Sequence, residues 1–330
     1  VLACCHIAGW FLLLSNEYKQ LGKHIVGGTL FLSNIMLWRE SGYFEEAAEN
    51  KPLLHLWSLG IEEQFYIAWP IILYLGWRLR LNLLRLTLGL AVASFAFNLF
   101  ISQYDLSMAF YTPLTRAWEL LIGAILACLT QFKPQWLPSN RATAWQNLAS
   151  IAGIILTGLG FLLINRQTSF PGPWPLLPTL GAALLIAAGS QSWFNRVVLS
   201  HRLMVWFGLI SFPLYLWHWP ILAFIHLLGE ESSTLKTLQL MVLCVLLAWA
   251  SVQLIEKPLR HGHDTYTKSW ALLGLMLEPA WALLWVACFG FGSGACLILS
   301  LSFMGLRTHG PAQAAALSGM AQSVGYLLAA

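Results

Sequence analysis

Of the 330 residues, 58% are hydrophobic and only 10% are charged, against about 25% charged in an ordinary soluble protein. That balance excludes a soluble globular enzyme, and 17 tryptophans fit a chain with many membrane–water interfaces. The net charge of +4 is scattered between apolar runs rather than gathered in a patch, so no nucleic-acid partner is implied.

In chain order, run length, turn residues and flanking charge predict an apolar remnant at 1–14 and spans at 21–38, 53–76, 83–103, 114–131, 145–164, 175–190, 205–228 and 236–255. A polar stretch at 256–268 follows. After it come a short run at 269–277, a full one at 280–304 and an incomplete one from 314. The expected fold is all-α, a polytopic transmembrane helical bundle in contact with the lipid bilayer. The chain opens at Val1 inside one apolar run and stops at Ala330 inside another, so it reads as a fragment or a fusion. Cys4, Cys5, Cys128, Cys244, Cys288 and Cys296 sit in or beside apolar segments. None has CxxC or Cys/His ligand spacing, so neither a metal site nor a disulfide framework is expected.

Loop charge sets the orientation. Arg78, Arg80, Arg85, Lys133, Arg141, Arg196, Arg202, Lys257, Arg260 and Lys268 fall in four alternate loops, which are assigned to the cytoplasm. The intervening loops hold Glu40, Glu45, Glu46, Glu49, Asp105, Glu230 and Glu231, with fewer basic residues, and face outward.

The stretch LLHLWSLGIEEQFYIAWPIILYLG at 53–76 is long enough to span, yet holds Glu62, Glu63 and Gln64. Ionisable groups at such depth are costly and mark polar sites. At about 100° per residue, His55, Glu62 and Tyr66 share one stripe, with Glu63 turned about 80° away. That stripe serves either substrate binding and proton relay or a structural hydrogen-bond network. In LTRAWELLIG, Arg116 and Glu119 are three residues apart and can pair, as a local salt bridge or as an anion-binding arginine held by its carboxylate. In ISFPLYLWHWPILAF, Ser211, Tyr215 and His218 form another stripe. Pro213 and Pro220 are expected to bend or open that helix, and Trp217 and Trp219 to pack outward or at an interface. Glu256-Lys257-Pro258 closes the next span, chiefly as a structural stop.

Taken together, these stretches resemble acyltransferase family 3, the multi-span O-acyltransferases of bacterial surface polysaccharides. The resemblance rests on FLSNIMLWRESGYFEEAAENKPLLHLWSLGIEEQFYIAWP at 31–70, TRAWELLIGAILA at 115–127, ISFPLYLWHWPIL at 210–222 and IEKPLR at 255–260. The first of these is most similar to the branch that adds a periplasmic SGNH hydrolase-like domain.

The resemblance implies an enzyme of the bacterial inner membrane. It would take an acyl group, usually acetyl, from acetyl-CoA on the cytoplasmic side and deliver it to a hydroxyl of an outward-facing polysaccharide or lipopolysaccharide. No tightly bound cofactor is implied. Glu62, Tyr66 and His218 become supporting catalytic residues, with His55, Arg116, Glu119, Ser211 and Tyr215 as substrate-binding candidates. The family's catalytic histidine lies on an earlier helix, and His6 and His24 fall in runs that resemble later ones. The fragment is therefore expected to be incomplete or inactive alone.

The last stretch, PAWALLWVACFGFGSGACLILSLSFMGLRTHGPAQAAALSGMAQSVGYLLAA, resembles a late helix pair of a major facilitator superfamily transporter. Residues 1–268 read as a partial acyltransferase-like membrane domain and 269–330 as a transporter-like tail, joined near 268–279. The alternatives are a transporter or a non-functional fusion remnant.

Overall fold

The computed structural model describes residues 1–41, 50–132, 143–165, 167–229 and 233–258. The junction near 268–279 and the transporter-like tail 269–330 lie outside the described residues. Eleven α-helices are described: α1 (Leu2–Leu12), α2 (Ser15–Thr29), α3 (Ser33–Glu40), α4 (Leu56–Arg78), α5 (Leu83–Ile101), α6 (Leu106–Tyr111), α7 (Pro113–Phe132), α8 (Thr143–Leu163), α9 (Leu176–Ala188), α10 (Arg202–Leu227) and α11 (Thr234–Ser251). Short π-helical turns at Asn195–Leu199 and Val252–Glu256 precede α10 and follow α11. No strand occurs among the described residues, and the fold is all-α.

The local chemistry explains where the helices start. Asn82, Asp105 and Ser233 each accept a backbone N–H of the first turn, from Arg85, Met108 and Lys236 respectively. Among the described residues, five helical segments are long and apolar enough to cross a membrane: Leu83–Ile101, Leu106–Phe132, Ala144–Leu163, Arg202–Leu227 and Thr234–Glu256. The 23-residue α4 is not among them, because Glu62, Glu63 and Gln64 dilute its apolar character. Exposure is inverted relative to a soluble protein. Leu162 and Leu254 are 79% and 76% exposed, whereas Asn34, Thr87, Asn98, Thr115 and Ser150 are fully buried. Apolar faces turned outward suit lipid as solvent, and polar groups turned inward find partners there.

The expected span at 21–38 is two helices, not one. Phe31 takes a left-handed conformation (φ 57°). The Phe31 and Leu32 N–H groups close back on the carbonyls of Gly28 and Gly27. The corner is fixed from α4: Gln64 Nε2 donates to the Phe31 carbonyl at 2.7 Å and to Asn34 Oδ1 at 2.9 Å. Gly60 makes room for this contact, since a Cβ there would lie 2.8 Å from Asn34 Oδ1 and 3.2 Å from the Phe31 carbonyl. Gln64 is thus a clamp between α3 and α4 rather than a cavity-lining group.

The tightest pairings are α8 with α9, α5 with α7 and α10 with α11. α4 packs against α3 and α7 and buries Leu56, Trp57, Ser58, Gly60 and Ile61. Of the two outcomes expected of Pro213 and Pro220, a bend or an opening, no opening occurs: α10 runs unbroken through both. Trp217 and Trp219 do not simply face outward either. Each is half-buried, Trp217 Nε1 donating to Ser251 Oγ at 3.0 Å and Trp219 Nε1 to the Lys51 carbonyl at 2.9 Å.

Candidate active site

Arg116, on the first turn of α7, is 7% exposed. Its Nε lies 3.0 Å from Glu119 Oε1, the i,i+3 pair that the spacing predicts. Three aromatic rings surround the guanidinium: Trp57 of α4 at 5.5 Å, Phe110 of α6 at 5.6 Å and Phe170 at 5.4 Å from Cζ. Such rings stabilise a cation that has left water. Phe170 is set by α5, where the buried Asn98 Nδ2 donates to the Gly172 carbonyl at 2.7 Å and Ser102 Oγ accepts from the Gly172 N–H at 3.2 Å. With three rings around it and Nε paired, Arg116 Nη1 finds no hydrogen-bond partner among the described residues.

Arg116 and Glu119 line a cavity of about 220 Å³ between α4, α7 and α9. Glu62, Ser58 and Thr179 lie at the same end, and Leu120, Gly123, Leu126, Ala182, Ala183 and Ile186 continue it along α7 and α9. All its polar residues sit in the first two turns of their helices. The cavity therefore has a polar end that can bind and orient an oxygen-bearing group, and an apolar remainder.

A second cluster adjoins it. The Tyr215 hydroxyl, buried on α10, donates to the His55 carbonyl. With its single proton used there, it accepts from Ser58 Oγ at 2.5 Å. The His55 ring lies 5.2 Å from Tyr215 and 5.8 Å from His218, centroid to centroid. His218 Nδ1 is 2.7 Å from the Tyr215 carbonyl. A carbonyl can only accept, so Nδ1 carries the proton and neutral His218 keeps its lone pair on Nε2. That is the state required of a proton acceptor.

The predicted residues therefore divide. Glu62, Arg116 and Glu119 meet at the cavity, while His55, Tyr215 and His218 meet beside it. The shared stripe of His55 and Glu62 thus serves two different neighbourhoods. Tyr66 is half-buried, stacks edge-on to Phe65 and is not part of the cavity wall. Ser211 turns its hydroxyl to the Gly208 carbonyl of its own helix at 2.8 Å.

Ser58 was missed by the sequence reading, although it lies four residues before Glu62 on the same face. A triad of two buried bases on one partly exposed carboxylate was also missed. Glu40 Oε2 lies 3.2 Å from His24 Nε2 and 3.3 Å from Lys51 Nζ, both bases being 3% exposed. No cluster of metal-ligating side chains occurs among the described residues.

A membrane-embedded helical bundle with a buried arginine and carboxylates on a cavity wall, and a histidine cluster beside it, defines the class of protein. The chain belongs to acyltransferase family 3, whose acyltransferase domain matches residues 6–253. "Putative peptidoglycan O-acetyltransferase YrhL" of Bacillus subtilis is 31% identical over 265 residues, 76% of this chain and 42% of that protein. "Peptidoglycan O-acetyltransferase OatA" of Listeria monocytogenes is 26% identical over 262 residues, with the same coverage of 76% and 42%. The chain thus spans about two fifths of the length of these relatives. A separate stretch of 60 residues is 77% identical to "Putative anionic 4-hydroxy-benzoate permease" of Thauera aromatica, covering 18% of this chain and 37% of the permease. The transporter likeness rests on this short match. No solved structure matches the chain.

Proposed function

We propose that this chain is the membrane core of an O-acyltransferase of the bacterial inner membrane. It carries an acyl group, acetyl in the first instance, from acetyl-CoA across the bilayer to hydroxyls of a cell-surface polysaccharide. Peptidoglycan is the first acceptor to try, given the names of the relatives, and lipopolysaccharide the second. The observation that carries the reading is the cavity in which Arg116 and Glu62 meet, within a domain matched over 6–253. In this reading Arg116, braced by Glu119, holds an oxygen of the acyl group. Glu62 and His218 move protons, and His55, Tyr66, Ser211 and Tyr215 shape the surroundings.

Because the chain is expected to be inactive alone, the test is transfer of radiolabelled acetyl from acetyl-CoA to cell-wall polysaccharide by vesicles carrying the chain fused behind the early membrane helices of a family relative. Glu62→Gln and His218→Ala should each lower labelling by about a hundredfold or more, the scale of a lost acid–base group. Equal labelling in vesicles with and without the chain would remove the proposal.

A second reading has one observation behind it, the 60-residue permease match. It makes that stretch transporter-derived, and the chain a fusion or its remnant. Acetyl transfer that survives deletion of 269–330 would assign the activity to the rest of the chain.

A further inference from the structure

The cavity is graded in a way that specifies its ligand. Its polar groups lie in the first two turns of α4, α7 and α9, and every lining residue beyond them is apolar. Along α7 the wall runs from Arg116 to Leu126, about 15 Å at the helical rise. A ligand that fits has one oxygen-bearing end and a short apolar tail. The volume of about 220 Å³ is below the roughly 300–1,000 Å³ of sites for drug-sized ligands, which suits a small acyl group better than a whole nucleotide or lipid. The polar end is also incomplete by itself. Arg116 is nine-tenths buried and lines the cavity, yet its Nη1 has no partner among the described residues.

Gly123 marks the apolar part. It lies on the cavity wall one further turn along α7 from Glu119, and a Cβ built on it meets no atom within 4 Å. Gly123 is an exposed position on that wall, so a larger side chain there would meet no part of the bundle. Ala182 and Ala183 face the same space from α9.

We propose that this cavity is the acyl-group pocket, with the acyl carbonyl oxygen on Arg116 Nη1 and the alkyl chain directed along Gly123 and Ala183. Gly123 then sets the length of acyl group accepted. The proposal rests on the acyltransferase reading for its ligand, and the experiment separates the two.

The probes are radiolabelled acetyl and butyryl thioesters of N-acetylcysteamine, bound to the purified chain in detergent by equilibrium dialysis, with sodium butyrate as a third probe. Acetyl transfer from acetyl-CoA is measured on the same variants fused behind the early membrane helices of a family relative, since the chain alone is expected to be inactive. Gly123→Leu should lower butyryl binding relative to acetyl by roughly tenfold or more, the discrimination an apolar pocket draws from one or two methylenes. Gly123→Ala should shift the ratio in the same direction by less. Arg116→Met should weaken both thioesters alike.

An unchanged ratio in both Gly123 variants overturns the pocket, even if acetyl transfer proceeds, and leaves the acyltransferase reading intact. A shifted ratio without transfer keeps the pocket and removes that reading. Binding of butyrate but of neither thioester overturns the proposal and makes the site a carboxylate site. Failure of both measurements removes both.

Discussion

Ser58 Oγ lies 2.5 Å from the Tyr215 hydroxyl, and that one hydrogen bond joins the cavity wall on α4 to the His55–His218 cluster beside α10. Because Tyr215 spends its proton on the His55 carbonyl, the direction of the bond is fixed, with Ser58 as donor. Tyr215→Phe removes the hydroxyl and leaves both groups without it in a buried place. The expected loss is about 1–3 kcal/mol, seen as a lower Tm of the detergent-solubilised protein. Ser58→Ala should cost less, since the Tyr215–His55 bond survives.

Arg116 and Glu119 form a partly buried pair, and their variants should show coupling. Arg116→Met leaves Glu119 without its cation. The expected cost is about 2 kcal/mol, less than the 3–5 of a fully buried pair, because the Glu119 side chain is still 21% exposed. Adding Glu119→Gln should restore most of the Tm while acetyl transfer stays lost. A double-mutant cycle on stability and on transfer rate checks both halves.

Much of this constellation was legible in the sequence. Acids inside an apolar run marked α4, and the i,i+3 spacing marked the Arg116–Glu119 pair. The aromatic surround of Arg116 was not legible, because Trp57, Phe110 and Phe170 come from separate elements that only tertiary packing brings together. The corner at Phe31 was hidden for another reason. Its residues are as apolar as a continuous helix would require, and the tie that fixes it comes from Gln64, more than thirty positions away. The partners of Trp217 and Trp219 were not legible either, because an indole has an apolar body and one donor, and only tertiary packing brings Ser251 and the Lys51 carbonyl to those donors.

Gln64→Leu tests that corner. The substitution keeps approximate size and deletes two donated hydrogen bonds, to the Phe31 carbonyl and to Asn34. A loss of about 1–3 kcal/mol is expected. Faster proteolysis near residues 30–32 should accompany it if the tie holds α2 and α3 in place.

The His24–Glu40–Lys51 triad predicts a charge-dependent stability. Glu40→Gln strips Lys51, 3% exposed, of its carboxylate partner among the described residues and should lower stability by about 1–2 kcal/mol, less than a fully buried pair because the Glu40 side chain is 29% exposed. Glu40→Gln with Lys51→Met should recover much of it. Thermal unfolding of the two variants beside the parent chain decides the matter, and equal Tm values would make the triad energetically idle.

Two glycines on neighbouring helices face opposite circumstances. Behind Gly60 stands a carbonyl oxygen and an amide at closer than contact distance, whereas Gly123 looks onto empty space. A saturation library should therefore return almost nothing but the parent codon at the first position and a broad spread at the second. The first glycine is dictated by assembly of the bundle, and the second is a dial that selection could turn without rebuilding it.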